Sequence, residues 1–212
     1  MIRIIIADDH PIVREGLKRI ISECSDMKLV GEAANSDEVI NRCRENRVDV
    51  LLLDISMPGA GFLETLQRIT TKYTSLQVLV LSIHPEEQYA IRAIQAGAAG
   101  YLTKNHTPEQ LAEAIRHVYA RHKYITPKVA QELIAKLGKR EEVDLYKNLS
   151  NREYQILCML GEGKQLTEIA SILSLSPKTI GTYRNRVLDK LKLRTTGELI
   201  RYAVEHLLKA PD

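Results

Sequence analysis

The 212-residue chain has no tryptophan and a single phenylalanine, Phe62, so its interior has to be built mainly from aliphatic side chains. Cysteine is equally scarce. Cys24, Cys43 and Cys158 are odd in number and widely spaced, which excludes a disulfide framework and a paired-cysteine metal site. Each reads as a small packing residue. No apolar run approaches the roughly 18 residues that span a bilayer. The short apolar stretch of MIRIIIADDH ends on two acids rather than a cleavage site. These absences make a cytoplasmic protein with no membrane partner the expectation. Internal repeats and low-complexity tracts are absent as well.

Neither sign of charge dominates, yet the charges are unevenly placed. Residues 1–121 carry 14 Lys and Arg against 16 Asp and Glu, a net of −2, whereas residues 149–212 carry 10 against 7, a net of +3. The basic end points weakly to a polyanionic partner. The first half alternates short aliphatic runs at 3–7, 28–33, 48–53, 77–82 and 100–102 with stretches of helical period at 13–24, 37–45, 62–72, 87–96 and 108–121. Strands alternating with helices predict a parallel sheet covered on both faces. VDVLLLD and LQVLVLS are nearly continuous apolar runs, as central strands require. Five of each element in residues 1–121 fit a flavodoxin-like, doubly wound α/β domain. Thr126-Pro127 opens a further helix, to about residue 137, within a segment (122–148) that otherwise reads as a linker through GKREEVDLYKN. From 149 to 212 no strand-like run occurs. Four helical segments, about 151–160, 166–173, 177–191 and 196–208, predict a compact all-α module.

In a doubly wound sheet, ligands bind beyond the carboxyl ends of the strands. Asp8 and Asp9 follow the first strand, Asp54 ends the third, Ser82 ends the fourth and Lys104 follows the fifth. A lone Asp at a strand end is usually a helix cap or a solvated loop residue. The coincidence of all these residues at corresponding strand ends argues for a site. Three converging carboxylates repel unless a divalent cation sits among them, and their hard oxygens suit Mg2+. A carboxylate beside Mg2+ can attack a phosphoryl donor, with a lysine and a hydroxyl neutralising the phosphoryl oxygens.

With these residues in view, ADDHPIVREGL, LLLDISMPG, VLVLS and AGAAGYLTK resemble the receiver domain of bacterial response regulators over residues 1–121. The resemblance implies that Asp54 accepts phosphate from a sensor histidine kinase and that Asp8, Asp9, Asp54 and the Ser56 backbone carbonyl hold Mg2+. It further implies that Ser82 and Tyr101 form a switch pair and that Pro58 and Gly59 shape the loop after Asp54. Such a domain catalyses only its own phosphoryl transfer and is not otherwise an enzyme. In one departure, Gly61-Phe62 stands where the family commonly has Asp-Gly.

In the last quarter, Ser176-Pro177 reads as an N-cap followed by the first helical residue. At 100° per residue Ile180, Val187, Leu188 and Leu191 share one side, and Lys178, Thr182, Asn185, Arg186 and Asp189 lie broadly opposite. Arg184 falls near the apolar edge. The cationic, amide-bearing side suits phosphate and base-edge contacts in a major groove. Lys178, Thr179, Thr182, Tyr183, Asn185, Arg186 and Lys190 form the candidate DNA-contacting set. A solvated face on a bundle helix would look similar, but LTEIASIL and a short turn precede it and complete a helix-turn-helix. Residues 149–208 resemble the LuxR-type helix-turn-helix of the NarL/FixJ response regulators. Two departures are Gly181, where members often carry Lys or Ser, and Gln165-Leu166 in place of Ser-Asn. Gln165 and Glu168 still offer half of a capping box. The resemblance implies a transcription factor that binds double-stranded promoter DNA, dimerises when phosphorylated and has RNA polymerase as a further candidate partner. Its last helix, with Leu199, Ile200, Ala203, Val204 and Leu207, serves core and dimer interface in proportions left open. An enzymatic output domain is disfavoured because the helical module has no titratable cluster. A regulator that ignores phosphorylation is disfavoured because the pocket acids are all present.

Overall fold

The apolar runs of the first half become one parallel sheet. In the computed structural model, which describes residues 1–58, 61–83, 86–138 and 149–207, the strands are β1 (Ile2–Ala7), β2 (Met27–Ala33), β3 (Val50–Asp54), β4 (Gln77–Ser82) and β5 (Gly100–Thr103). Their order is β2-β1-β3-β4-β5 and every neighbouring pair is parallel. All five residues of β3 are buried, as are five of the six in β4. Edge strand β2 is only half-buried between its terminal residues. There the register slips by one residue between Ile4 and Ile5, so that Ile4 faces Leu29 and Ile5 faces Gly31.

Helices α1 (Pro11–Ser22), α2 (Ser36–Glu45), α3 (Phe62–Lys72), α4 (Glu86–Gln95) and α5 (Pro108–Tyr119) make the crossovers. Their starts follow local chemistry. Asn35 accepts the Glu38 N–H at the head of α2, and Thr107 with Gln110 forms a capping box at α5. Helix α1 starts two residues earlier than its apolar period alone suggests, because Pro11 occupies the first helical position and supplies no donor. Ile4, Ile6, Leu52, Leu79, Leu111, Ile115 and Val118 form one aliphatic core with Leu17 and Ile21. Each such side chain contributes about 1.5–3 kcal/mol on burial.

The chain divides into two compact units, Met1–Ala135 and Lys136–Asp212. After α5 the backbone turns at Arg121 (φ 67°) and Tyr124 adds to the sheet edge, exchanging hydrogen bonds with Ala99 and Tyr101. Gly100 is required there, since a Cβ would lie 2.8 Å from the Tyr124 carbonyl oxygen. A sixth helix, α6 (Pro127–Gly138), follows. The charged stretch expected to be a linker lies outside the described residues from 139 to 148, as do Gly59 and the end of the last helix at 208.

The second unit contains only helices among its described residues: α7 (Asn151–Gly161), α8 (Leu166–Ile172), α9 (Pro177–Leu191) and α10 (Thr196–His206). Ser150 and Glu153 form a capping box on α7, and Ser176 caps α9 by accepting the Thr179 N–H. At α8 the Glu168 carboxylate accepts the Gln165 N–H at 3.1 Å. Ile156, Leu157, Ile169, Ile180, Val187, Leu191, Leu199 and Ala203 make its core. Among the described residues, no helix is long and apolar enough to cross a membrane.

Candidate metal centre and nucleic-acid interface

Strand register assembles the acidic pocket. Ala7 of β1 faces Leu53 of β3, so the next residues, Asp8 and Asp54, emerge side by side at the carboxyl edge. One ligand atom from each of Asp8, Asp9, His10 and Asp54 lies within 4.8 Å of the others. Lys104 is set by β5: Thr103 faces Ser82, and the Lys104 N–H donates to the Ser82 carbonyl at 2.6 Å. From there its ammonium lies 2.6 Å from Asp8 Oδ2 and 3.1 Å from Asp54 Oδ1.

Asp8 and Asp54 are each 1% exposed. Burial pushes the Asp54 carboxyl up to about 6; Lys104 opposes that rise, and the charges of Asp8 and Asp9 add to it. Burial also works against the Lys104 ammonium, but the Asp54 charge and the hydrogen bond to Asp8 outweigh it and hold its pKa above the usual lysine range. Lys104 meets Asp54 as an ion pair. Both Asp54 oxygens and Asp9 Oδ1 are buried with no aligned hydrogen-bond partner among the described residues. Three carboxylates and one ammonium leave a net −2 on a set of hard oxygen donors, and that set fits a divalent cation. His10 belongs to this cluster, although the sequence reading passed over it. Its Nδ1 is 2.9 Å from Asp9 Oδ1 and 3.2 Å from Asp8 Oδ1, and its N–H donates to Asp8 Oδ1. The signal was the unbroken Asp8-Asp9-His10 run.

Ser82 and Tyr101 are both buried, at 0% and 1% exposure, on the adjacent strands β4 and β5. Ser56 is half-buried two residues past Asp54, and the Pro58 carbonyl accepts the Ser36 N–H. The departure at Gly61-Phe62 has a packing explanation. Phe62 is buried and meets Tyr89 edge-on, with ring centroids 6.0 Å apart, while Gly61 caps α3 at an ordinary φ of −54°.

On α9, Ile180, Val187, Leu188 and Leu191 are buried and Lys178, Thr182, Asn185, Arg186 and Lys190 are exposed, with Thr179 and Tyr183 half-buried. Three side chains have internal partners that the helical wheel did not reveal. Lys190 donates to Glu153 on α7 at 2.7 Å. Arg184 donates to Asn185 Oδ1 at 2.7 and 3.2 Å and to Thr196 on α10 at 3.3 Å. Arg186 lies over the Tyr183 ring, 5.7 Å from its centroid.

The comparisons agree with this architecture. Residues 4–116 match the family described as "Response regulator receiver domain", and residues 147–203 match "Bacterial regulatory proteins, luxR family". The response regulator UvrY of Escherichia coli K12 is 38% identical over 97% of this chain and 95% of its own length. The response regulator GacA of Pseudomonas aeruginosa is 37% identical over 97% of each. RcsB from Salmonella enterica serovar Typhimurium, solved bound to promoter rprA with the phosphomimetic BeF3-, superposes with a TM-score of 0.65 at 25% identity, covering 99% of both chains. With both halves matched and curated relatives aligned along nearly its whole length, the chain belongs to the NarL/FixJ-type response regulators, transcription factors that join a receiver domain to a LuxR-type helix-turn-helix.

Proposed function

We propose that Asp54 is the phosphoacceptor of this response regulator, that a sensor histidine kinase is its donor, and that phosphorylation controls homodimerisation and binding of α9 to promoter DNA. The observation that carries this reading is the buried Asp54 carboxylate at the strand's carboxyl end, with neither oxygen hydrogen-bonded among the described residues and the Lys104 ammonium 3.1 Å away. An Asp54 oxygen attacks the phosphorus of a phosphohistidine. The P–N bond breaks with its electron pair going to the imidazole, and an acyl phosphate forms on Asp54. Asp8, Asp9, Asp54 and the Ser56 carbonyl would hold Mg2+, which supplies positive charge against the phosphoryl oxygens. Lys104 pairs with a phosphoryl oxygen, the Ser82 hydroxyl donates to another, and the Tyr101 ring reorients as Ser82 moves. On the DNA side, Lys178, Thr179, Thr182, Tyr183, Asn185, Arg186 and Lys190 would meet the major groove and its phosphates, with RNA polymerase as a further candidate partner of the promoter-bound dimer. Support for this face comes from the exposure of Lys178, Thr182, Asn185 and Arg186 on the second helix of a luxR-family helix-turn-helix.

The test is incubation of the full chain with a small phosphodonor and Mg2+, followed by intact mass. One phosphoryl group is expected on the wild type and none on Asp54→Asn. Undiminished labelling of the Asn variant rejects the assignment. Ser82→Ala is expected to accept phosphate yet associate more weakly than the phosphorylated wild type.

A further inference from the structure

A second concave site lies at the opposite edge of the receiver sheet. A cavity of ≈ 730 Å³ opens at the amino ends of β3 and β4, lined among others by Arg3, Arg44, Arg47, Asp49, Tyr73 and Tyr119, with Arg121 at its rim. Its volume lies in the range of small-molecule pockets, roughly 300–1,000 Å³. The five residue steps from Asp49 to Asp54 along β3 separate it from the acidic pocket by about 17 Å at the rise of an extended strand. It is therefore not part of the acidic pocket.

The wall is strongly cationic. Four arginines face one acid, a net +3, and that acid is already engaged, since Asp49 receives two hydrogen bonds from the Arg3 guanidinium at 2.6 and 2.8 Å. Arg44, Arg47 and Arg121 have no carboxylate partner among the described residues. Arg44 donates to Asn41 Oδ1 at 3.4 Å and Arg121 to the Thr74 carbonyl at 3.2 Å, contacts that leave their charges uncompensated. Guanidinium forks in a concavity suit phosphate oxygens. Two tyrosines line the cavity beside them. Tyr119 is 46% exposed, whereas Lys72 lies over the Tyr73 ring and the Tyr73 hydroxyl is buried with no hydrogen-bond partner among the described residues. A buried hydroxyl left without a partner is costly, and a polar group of a bound molecule would relieve that cost. Cys43 also lines the cavity, but burial raises its thiol to about 11, so it offers no thiolate.

We propose that this cavity binds a nucleotide bearing two or three phosphates, the phosphates on Arg44, Arg47 and Arg121 and the base against Tyr119 and Tyr73. A concave wall of this size favours a small molecule over a nucleic-acid duplex, which needs an open surface. The site is independent of the phosphoacceptor reading and requires no metal.

The experiment titrates the full chain with ATP, with inorganic triphosphate and with a random DNA duplex, all in EDTA so that the acidic pocket recruits no metal-bound nucleotide. Binding is read by calorimetry and by amide chemical shifts. ATP is expected to bind at least tenfold more tightly than triphosphate and to shift the amides of residues 46–49. Arg47→Gln with Arg121→Gln is expected to weaken ATP at least tenfold, and Tyr119→Ala to reduce it to the triphosphate level. Circular dichroism checks that these surface variants remain folded, and Asp54→Asn is expected to bind ATP as wild type does. No ATP binding at millimolar concentration, equal binding of triphosphate, or affinity unmoved by the double arginine change overturns the proposal. So does a duplex that displaces ATP and depends on the same arginines, because the face is then a nucleic-acid contact.

Discussion

Two side chains of the helical unit show how a residue's role depends on its neighbour. Glu153 is 3% exposed, closes the capping box of α7 and receives Lys190. Burial alone would raise its pKa, but the hydrogen bonds from Lys190 and Ser150 outweigh burial and hold it below the usual glutamate value. A depressed carboxyl contributes stability above its unfolded pKa, and that contribution is lost as pH falls through the folded one. Amide exchange in α7 is therefore expected to accelerate as pH drops below about 4.5 in the wild type, after correction for intrinsic rates. Glu153→Gln can keep the box but not the charge, so its corrected protection is expected to be lower at neutral pH and flatter against pH. The same protection profile in both proteins would remove Lys190–Glu153 from the account. Asn185 poses the complementary question. With Oδ1 accepting two hydrogen bonds from Arg184, the exposed Asn185 has its amide N–H groups left to donate to a base acceptor rather than to grip adenine from both sides. Asn185→Ala is expected to cost about 0.5–1.5 kcal/mol at the specific site, the worth of a single hydrogen bond rather than a bidentate pair, and far less on random DNA. Arg184→Ala is expected to relax preference at the same base position, read by a binding-site selection; relaxation elsewhere would sever the link between the two.

At the scale of elements, α9 carries a weakness that its surroundings do not require. Gly181 sits inside the helix, and a Cβ built there meets nothing within 4 Å. Gly181→Ala is expected to raise stability by about 0.5–1 kcal/mol, because alanine loses less backbone freedom in a helix. Thermal melts of the wild type and variant check it, and a lowered melting temperature would mean that Gly181 has a packing role not visible in its contacts. The opposite outcome is expected at Gly97, where φ is +103° and a Cβ would lie 2.9 Å from Thr70 Oγ1. Such local features were the legible part of the sequence. The apolar runs of β3 and β4, Thr126-Pro127 before α6 and Ser176-Pro177 before α9 act within a few residues, so pattern and propensity are enough to read them. Features made by residues far apart were not legible. The edge pairing of Tyr124 with Gly100, Lys190 with Glu153 and Arg184 with Thr196 depend on how elements meet, which no periodicity encodes. The acidic pocket is the instructive exception. Its residues are distant in sequence, yet each stands at a strand's carboxyl end, so a correct topology was enough to bring them together.

For the whole molecule, the charge asymmetry and the paired domains lead to one further expectation. Residues 1–121 are net −2 and residues 149–212 net +3, so the helical domain carries the net charge that favours a DNA duplex. Each neutralised phosphate contributes roughly −0.9 to the slope of log affinity against log salt on duplex DNA. If Arg186 holds a phosphate from its seat over Tyr183, Arg186→Ala is expected to weaken all sequences similarly and to reduce that slope by about one unit. Phosphorylation acts on a different quantity. A homodimer presents two copies of α9, and helix-turn-helix dimers reach half-sites about one DNA turn apart, roughly 10 bp. Phosphorylated full chain is therefore expected to prefer a duplex with two half-sites at that spacing over one with the second half-site moved by half a turn. Unphosphorylated chain and Asp54→Asn are expected to show little difference between the two. Salt titrations on both duplexes separate the effects: Arg186 changes the slope on each, whereas phosphorylation changes the ratio between them. A phosphorylated chain that binds both spacings equally, while Arg186→Ala still lowers the slope, would retain the DNA interface and reject dimerisation as the output of Asp54.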